Sequence, residues 1–325
     1  MTQSQINVPP ETGTAVARPR YTVITPAKNE EAYIGHALKA MVAQTVPPVK
    51  WVVVSDGSTD RTDEIVQGYA AKYPWIELYR RPQQENRSFA SKAQAIRDGV
   101  ARLRGLDYEV IVNLDADVSF GPDYFDFLLG KFAANSKLGV AGTAFQDPSL
   151  DYDYRFTSIE HVAGPCQVFR RACFEEIGGY VPVKGGGIDV IAVLTARMKG
   201  WETRTFPERT YQHHREMGTA KSGLLMARFK DGHKDYNLGA HPLWELFRVT
   251  YQMTKPPLLL GGCALFAGWF WCVIRRVERP VPRELVAFRR RDQMGRLKRF
   301  VGRMLGRKPP GAPAVPSECS GGAAR

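Results

Sequence analysis

Two aspartates one residue apart, Asp115 and Asp117, directly follow the apolar run Val110-Ile-Val-Asn-Leu114. Two like charges at the end of a buried strand repel each other, and a bound cation would remove that repulsion. Hard divalent ions such as Mg2+ and Mn2+ take carboxylate oxygens and commonly bridge one or two carboxylates to phosphates. Two more polar clusters follow apolar runs in the same way: Pro26-Ala-Lys-Asn-Glu30 after Tyr21-Thr-Val-Ile-Thr25, and Asp56-Gly-Ser-Thr-Asp60 after Trp51-Val-Val-Val-Ser55. An acid at 56 can accept hydrogen bonds from a base or a ribose, with Gly57 allowing close backbone approach. The same five residues also suit a turn and a helix cap, and Asp115 and Asp117 also suit a solvated loop. The run His213-His214-Arg215 offers a metal ligand or a diphosphate contact, since neutral imidazole is a common metal donor. Neighbouring side chains on an extended chain point oppositely, so one imidazole at most reaches a shared site; His214 is the candidate ligand. Arg228, in Arg228-Phe-Lys-Asp-Gly232, is a further cation for the same anionic site.

Such clusters act together only if the chain brings them to one place. Strands are expected at Tyr21–Thr25, Trp51–Ser55, Ile76–Tyr79, Val110–Leu114 and Leu138–Ala144. Helical patterns separate them: Glu30–Gln44, the stretch from Ser58 or Asp60 toward Tyr73, Ser88–Arg104, and Pro122–Asn135. Strands alternating with helices of this length make an α/β fold with a doubly wound, mostly parallel sheet the expected solution. Ligands of such sheets sit beyond the carboxyl ends of the strands, where all three clusters fall.

The motifs Thr25-Pro-Ala-Lys-Asn-Glu30, Val54-Ser-Asp-Gly-Ser-Thr-Asp60 and Leu114-Asp-Ala-Asp117, in this order and spacing, resemble the nucleotide-sugar motifs of the family-two, inverting, GT-A fold glycosyltransferases. The resemblance covers about 20–215 and implies a GT-A type sheet. It further implies that Pro26, Ala27, Glu30 and Asp56 face the nucleoside, that Asp115 and Ala116 line the ribose or metal, and that Asp117 ligates an Mg2+ or Mn2+ ion on the diphosphate. Lys92, in Ser91-Lys-Ala-Gln-Ala-Ile-Arg97, matches a position near the nucleotide and equally suits a solvated helix lysine. Gly164-Pro-Cys-Gln-Val-Phe-Arg-Arg171 resembles the acceptor-side strand, which makes Gly164 and Arg215 candidates for acceptor or diphosphate contact. Gly185-Gly-Gly-Ile-Asp189 resembles the start of the helix that carries the family's general base, here Asp189. Family members usually have Glu-Asp there, and Ile188 replaces the Glu. Many members also have two acids where this chain has Ser55-Asp56, which leaves the base preference unread. Asp189 suits an N-cap as well.

The remaining composition bears on partners. The chain has 325 residues and a net charge of +12. Thirteen basic residues against three acidic ones give +10 between Arg275 and Lys308, leaving +2 for all the rest. Before this basic segment, 256–274 is 19 residues without a charge, near the length of a spanning helix or of a buried core helix. Leu243–Met253 reads as amphipathic, and Met294, Leu297, Phe300, Val301, Met304 and Leu305 form an apolar stripe among arginines. A single crossing would carry the basic segment away from the cytoplasm, against the positive-inside tendency. The expectation is therefore a monotopic or re-entrant attachment to an anionic membrane surface, on the cytoplasmic face of a bacterial inner membrane, with no nucleic-acid partner. The five cysteines include no C-x-x-C pair, and no secretory signal opens the chain, so a reducing compartment is expected.

The expected organisation is a flexible tail at 1–20, a GT-A domain at 21–215, a helical membrane-associated region at 216–308 and a disordered tail at 309–325. The resemblance implies transfer of a sugar from a nucleoside-diphosphate sugar to a hydroxyl of a lipid-linked glycan for surface polysaccharide. A polyprenyl phosphate acceptor is the alternative within the class, and a non-catalytic nucleotide-sugar-binding membrane adaptor the alternative outside it.

Overall fold

The computed structural model describes residues 17–82, 89–146, 158–183, 186–215 and 223–304. Nearly all of the two expected tails and Cys319 lie outside them. The chain divides into two compact units, one through Ala227 and one from Arg228. The division falls within a helix rather than at the expected 215.

The first unit alternates as expected: β1 (Tyr21–Ala27), α1 (Ile34–Val42), β2 (Lys50–Ser55), α2 (Thr62–Ala70), β3 (Ile76–Arg80), α3 (Phe89–Ala101) and β4 (Val110–Leu114). β5 (Val118–Phe120), α4 (Tyr124–Ala134), β6 (Leu138–Gln146), β7 (Cys166–Arg170), α5 (Arg171–Glu176), α6 (Ile188–Met198) and β8 (Glu202–His213) follow. They form one eight-stranded sheet in the order β3-β2-β1-β4-β7-β6-β8-β5. The first four strands are mutually parallel, β7 runs antiparallel to both its neighbours, and β8 is parallel to β6. The parallel strands are covered on both faces: Val52, Val53, Val54, Val110, Ile111 and Val112 are all fully buried. The motifs at the ends of β1, β2 and β4 therefore open onto one rim.

The departures from expectation matter for that rim. β8 does not stop at Phe206. A register shift against β6 lets 207–209 bulge, and pairing resumes at Thr210 opposite Ala144. The continuation reaches His213, which pairs with Val118 of β5, a strand of three residues. Asp189 is not the N-cap of α6; Gly187 occupies that position with φ 82°, and Asp189 lies in the first turn. Arg171–Glu176 forms a short helix directly after β7.

The second unit holds α7 (Leu224–Asn237), whose first residues belong to the first unit, with α8 (Pro242–Met253), α9 (Leu260–Ile274) and α10 (Arg283–Met304). Among the described residues no helix is long and apolar enough to cross a membrane, and α9 covers only 15 residues of the charge-free segment. The stripe expected on α10 is half-buried or exposed where its side chains are described; Leu285, Arg289 and Gln293 face inward instead. Arg289 meets a buried acid, donating from Nη2 to Asp235 Oδ1 at 3.1 Å, and Arg248 pairs with the same carboxylate. Glu245 is 1% exposed, and neither carboxylate oxygen accepts a hydrogen bond. Burial pushes its carboxyl up to about 7, with Arg289 opposing and Asp231 adding.

Because the folded value lies above the ordinary 4.5, proton binding favours the folded state. The stabilisation is full below the unfolded value and is lost as pH rises through about 7. Glu245→Gln should match the parent near pH 5 and exceed it near pH 8, by on the order of 1–3 kcal/mol. Paired thermal melts across that range test this; a constant offset between the two proteins would contradict it.

Candidate active site

The loops after β1 and β2 are stitched together. Asn29 Oδ1 accepts from the Thr59 amide at 2.8 Å, the Glu31 amide donates to Asp60 Oδ2 at 3.0 Å, and the Arg61 amide to Glu31 Oε2 at 3.1 Å. Asp60 also receives the Thr62 amide and hydroxyl. Its carboxyl lies below the ordinary range because these hydrogen bonds outweigh its partial burial. Asp60 is thus a brace at the start of α2, as the turn-and-cap reading has it. Asp56 is not used that way. It is 6% exposed, with Oδ1 receiving Arg81 Nη1 at 2.5 Å and Oδ2 receiving the Ser91 hydroxyl. Arg81, just past β3, also donates to Asp98 Oδ2 at 2.6 Å.

Ser91 and Lys92 are consecutive in the first turn of α3, and Lys92 takes the other acid, donating from Nζ to Asp115 Oδ1 at 2.6 Å. One helix start therefore ties Asp56 and Asp115 together. Burial raises the Asp115 carboxyl above its usual range; Asp117 adds to this and Lys92 opposes it. Burial works against the charge on Lys92, but the carboxylates of Asp115, Asp189 and Asp117 outweigh it and its pKa is raised. The ammonium stands in the field of all three acids and is not a solvated helix lysine.

Asp117 is 8% exposed, and its partners arrive with β8. The β5–β8 pairing sets His213 beside it, Nε2 3.5 Å from Asp117 Oδ1, and the His214 amide donates to the Asp117 carbonyl at 2.8 Å. This reverses the expected roles of the two imidazoles. His214 turns to Ser119 Oγ at 2.7 Å and stacks on His36 at 4.1 Å, while its buried neighbour faces the carboxylate. Burial, then His36, lowers the pKa of His214. Arg215 spans two motifs, donating from Nε to Asp117 Oδ2 at 3.0 Å and pairing through Nη2 with Glu30, above the Tyr33 ring at 4.9 Å.

Asp189 approaches the same rim from α6. Its carboxylate lies against Gly164, where an added Cβ would sit 2.7 Å from Oδ2. The buried Tyr180, which donates to Gln167 Oε1, has a pKa raised well above its usual value by burial, with Asp189 and then Asp115 adding. Pro26 is half-buried in register with Val54, whereas Ala27 and Ala116 are core side chains, so only their backbone is available to a ligand. Arg228 belongs to the second unit and pairs with Asp231 at 3.4 Å. The sequence reading missed Arg81, Ser91 and His36, and chose His214 over His213; only the position of Arg81 at a strand end could have drawn attention to it.

Among the described residues no three His, Cys, Asp or Glu side chains form a ready cage for a metal. Asp117 Oδ1 is nonetheless buried without a hydrogen-bond donor, and a second carboxylate lies one residue away. This donor set fits a hard cation held by one or two carboxylates, with diphosphate and water completing its shell.

A parallel-stranded rim that gathers acids, lysine and arginine on this strand order is a GT-A type nucleotide-sugar fold. Residues 22–179 match the profile of Glycosyl transferase family 2, and the chain carries a family-two glycosyltransferase domain. It is similar to the probable glycosyltransferase YdaM of Bacillus subtilis, 27% identical over 213 residues that make up 58% of this chain and 49% of the relative. It is also similar to the dolichyl-phosphate beta-glucosyltransferase ALG5C of Trichomonas vaginalis, 36% identical over 115 residues, 33% of this chain and 32% of the relative. The chain thus spans about half, or less, of these curated relatives. Among solved structures, the mannosyltransferase PcManGT from Pyrobaculum calidifontis, in complex with GDP-Man and Mn2+, superposes with a TM-score of 0.53 at 21% identity, covering 89% of this chain and 81% of that one. At that identity the likeness is one of fold.

The Gly164 contact gives a direct test of the site's geometry. Gly164→Ala should push Asp189 away, lowering turnover by up to about 10²-fold while leaving nucleoside-diphosphate affinity within about twofold. Equal losses in both measurements would remove the special role of the contact.

Proposed function

We propose that this protein transfers a sugar from a nucleoside-diphosphate sugar to an acceptor hydroxyl, with inversion, and that a divalent cation assists departure of the diphosphate. The observation that carries this reading is the placement of Asp189 against Gly164, whose neighbour Pro165 accepts from the Asp115 amide at 2.8 Å, while Lys92 donates to the Asp115 carboxylate at 2.6 Å. Asp56 and Glu30 serve the nucleoside side. Asp117, with Asp115, would hold an Mg2+ or Mn2+ ion, which would offset charge building on the leaving diphosphate. Binding of Mn2+ by a protein of this fold supports that assignment.

The rest of the chemistry falls to the chain's own groups. Inverting transfer is a single displacement at the anomeric carbon, so a base must stand opposite the leaving group. Asp189 accepts the acceptor's proton as the new C–O bond forms and the bond to the diphosphate oxygen breaks. Such a base contributes about 10²–10⁴ in rate. Lys92 and Arg215, which pair with these carboxylates, can exchange those partners for phosphate oxygens. The acceptor we favour is a lipid-linked glycan in surface polysaccharide synthesis. A second reading has support in the similarity to a dolichyl-phosphate glucosyltransferase: a polyprenyl phosphate acceptor, which is already ionised and has little need of a base.

Asp189→Asn separates the two acceptors. With a hydroxyl acceptor, turnover should fall by about 10²–10⁴; with a phosphate acceptor most of it should survive. Thermal-shift titration with GDP-mannose and UDP-sugars, with and without Mn2+, should show a rise in melting temperature that is lost in Asp117→Ala. Turnover of Asp117→Ala equal to the parent's would overturn the metal-assisted mechanism.

A further inference from the structure

Helix α9 is built inside out. Its buried positions are Gly261, Gly262, Leu265, Gly268 and Cys272. The glycines are there because backbone lies against them: an added Cβ at Gly262 would sit 2.7 Å from the Val249 carbonyl of α8, and one at Gly268 would collide with the Phe229 carbonyl of α7. Gly232 of α7 faces the Leu265 carbonyl in the same way. The large residues point outward. Leu259, Leu260, Phe266, Phe270, Trp271 and Ile274 are 41–63% exposed and recur at helical spacing along one face. Leu243 and Leu246 of α8 are exposed as well.

In water the hydrophobic effect puts bulk inside and polar groups outside. A helix with small residues at its contacts and large apolar ones outward follows the rule for helices in lipid, where tails solvate the large side chains and close packing holds the helices together. The length of α9, about 22 Å, is too short for a hydrocarbon core of about 30 Å. The flank is basic: Arg275 and Arg276 are exposed at the end of α9, and the Arg275 guanidinium lies 4.6 Å from the Trp271 ring centre. Arg283, Arg291, Lys298 and Arg299 are exposed on α10. From Tyr251 to Val277 the chain has no acidic residue.

We infer that the outer face of α9 is a docking surface for an anionic bilayer. The helix lies in the interface without crossing it, with Phe266, Phe270 and Trp271 among the upper acyl chains and Arg275 and Arg276 at the lipid phosphates. A second copy is the less suitable occupant, because it would bring the same basic flank with no acid on this face to meet it. The inference concerns attachment alone and stands whichever acceptor the catalytic domain uses.

Flotation of the full chain with phosphatidylcholine vesicles, with and without phosphatidylglycerol, tests it. The parent should float with both and prefer the anionic vesicles by more than about tenfold at low salt. Phe266→Ser/Phe270→Ser/Trp271→Ser should lose binding to both by more than about tenfold, and Arg275→Glu/Arg276→Glu should lose only the anionic preference. All of these side chains point outward, so an unchanged melting temperature serves as the folding control. Failure of the parent to float, or undiminished flotation of the folded triple variant, overturns the proposal. So does a dimer, seen by light scattering, that the triple variant splits while neither protein binds lipid.

Discussion

The site rests on one constraint: of the five acids gathered at the sheet rim, four are held by cations, and each of these must be neutralised where it stands. Leaving a buried carboxylate without a counter-charge costs several kcal/mol. The chain meets the demand with cations from three different elements. Arg81 beyond β3 holds Asp56, Lys92 on α3 holds Asp115, and Arg215 beyond β8 holds Asp117 and Glu30 together. None of these pairs is local in sequence. The rim is therefore a folding problem before it is a chemical one, because the acids can be tolerated only once the sheet has brought their partners alongside.

In the proposed reading, the same arrangement prepares the rim for an incoming diphosphate. A ligand with negative charge of its own would be repelled by bare carboxylates. Here it meets ammonium and guanidinium groups already in place, whose carboxylate partners can pass to a metal ion. The adjacent residues Ser91 and Lys92 act as a ruler: they fix Asp56 at a set distance from Asp115. Asp189, carried by α6, lies in the space that the missing side chain of Gly164 leaves. In the proposed reading, recognition and proton transfer therefore sit on separate supports, the first on β2 and α3, the second on α6.

How much of this could be read beforehand depended on where the information lay. Buried parallel strands announce themselves through runs of β-branched residues, and Val110–Leu114 is bounded in the structure as read. The acids at strand ends were legible for the same reason, since a polar cluster after such a run can only be at a rim. The pairings were not, because Arg81, Ser91, Lys92 and Arg215 reach their acids through strand pairing and helix packing that no short motif encodes. The two histidines were assigned the wrong way round. Their facing is set by β5, whose three residues are too few to show periodicity, and by a bulge in β8 that resets the alternation. The charge-free segment at 256–274 forms a helix of 15 residues, and its pattern of buried glycines and exposed bulky side chains is not legible in a run of apolar residues.

The glycines of α9 invert the usual map of tolerance to change. In an ordinary amphipathic helix the bulky residues are indispensable to folding and the small ones can be exchanged at will. Here a single methyl group at 268, or at 232 on the facing helix, would wedge two backbones apart, whereas the phenylalanines and tryptophan on the far side touch no backbone that such an exchange would move. Natural variation in this helix should therefore be written in its largest side chains and be silent in its smallest.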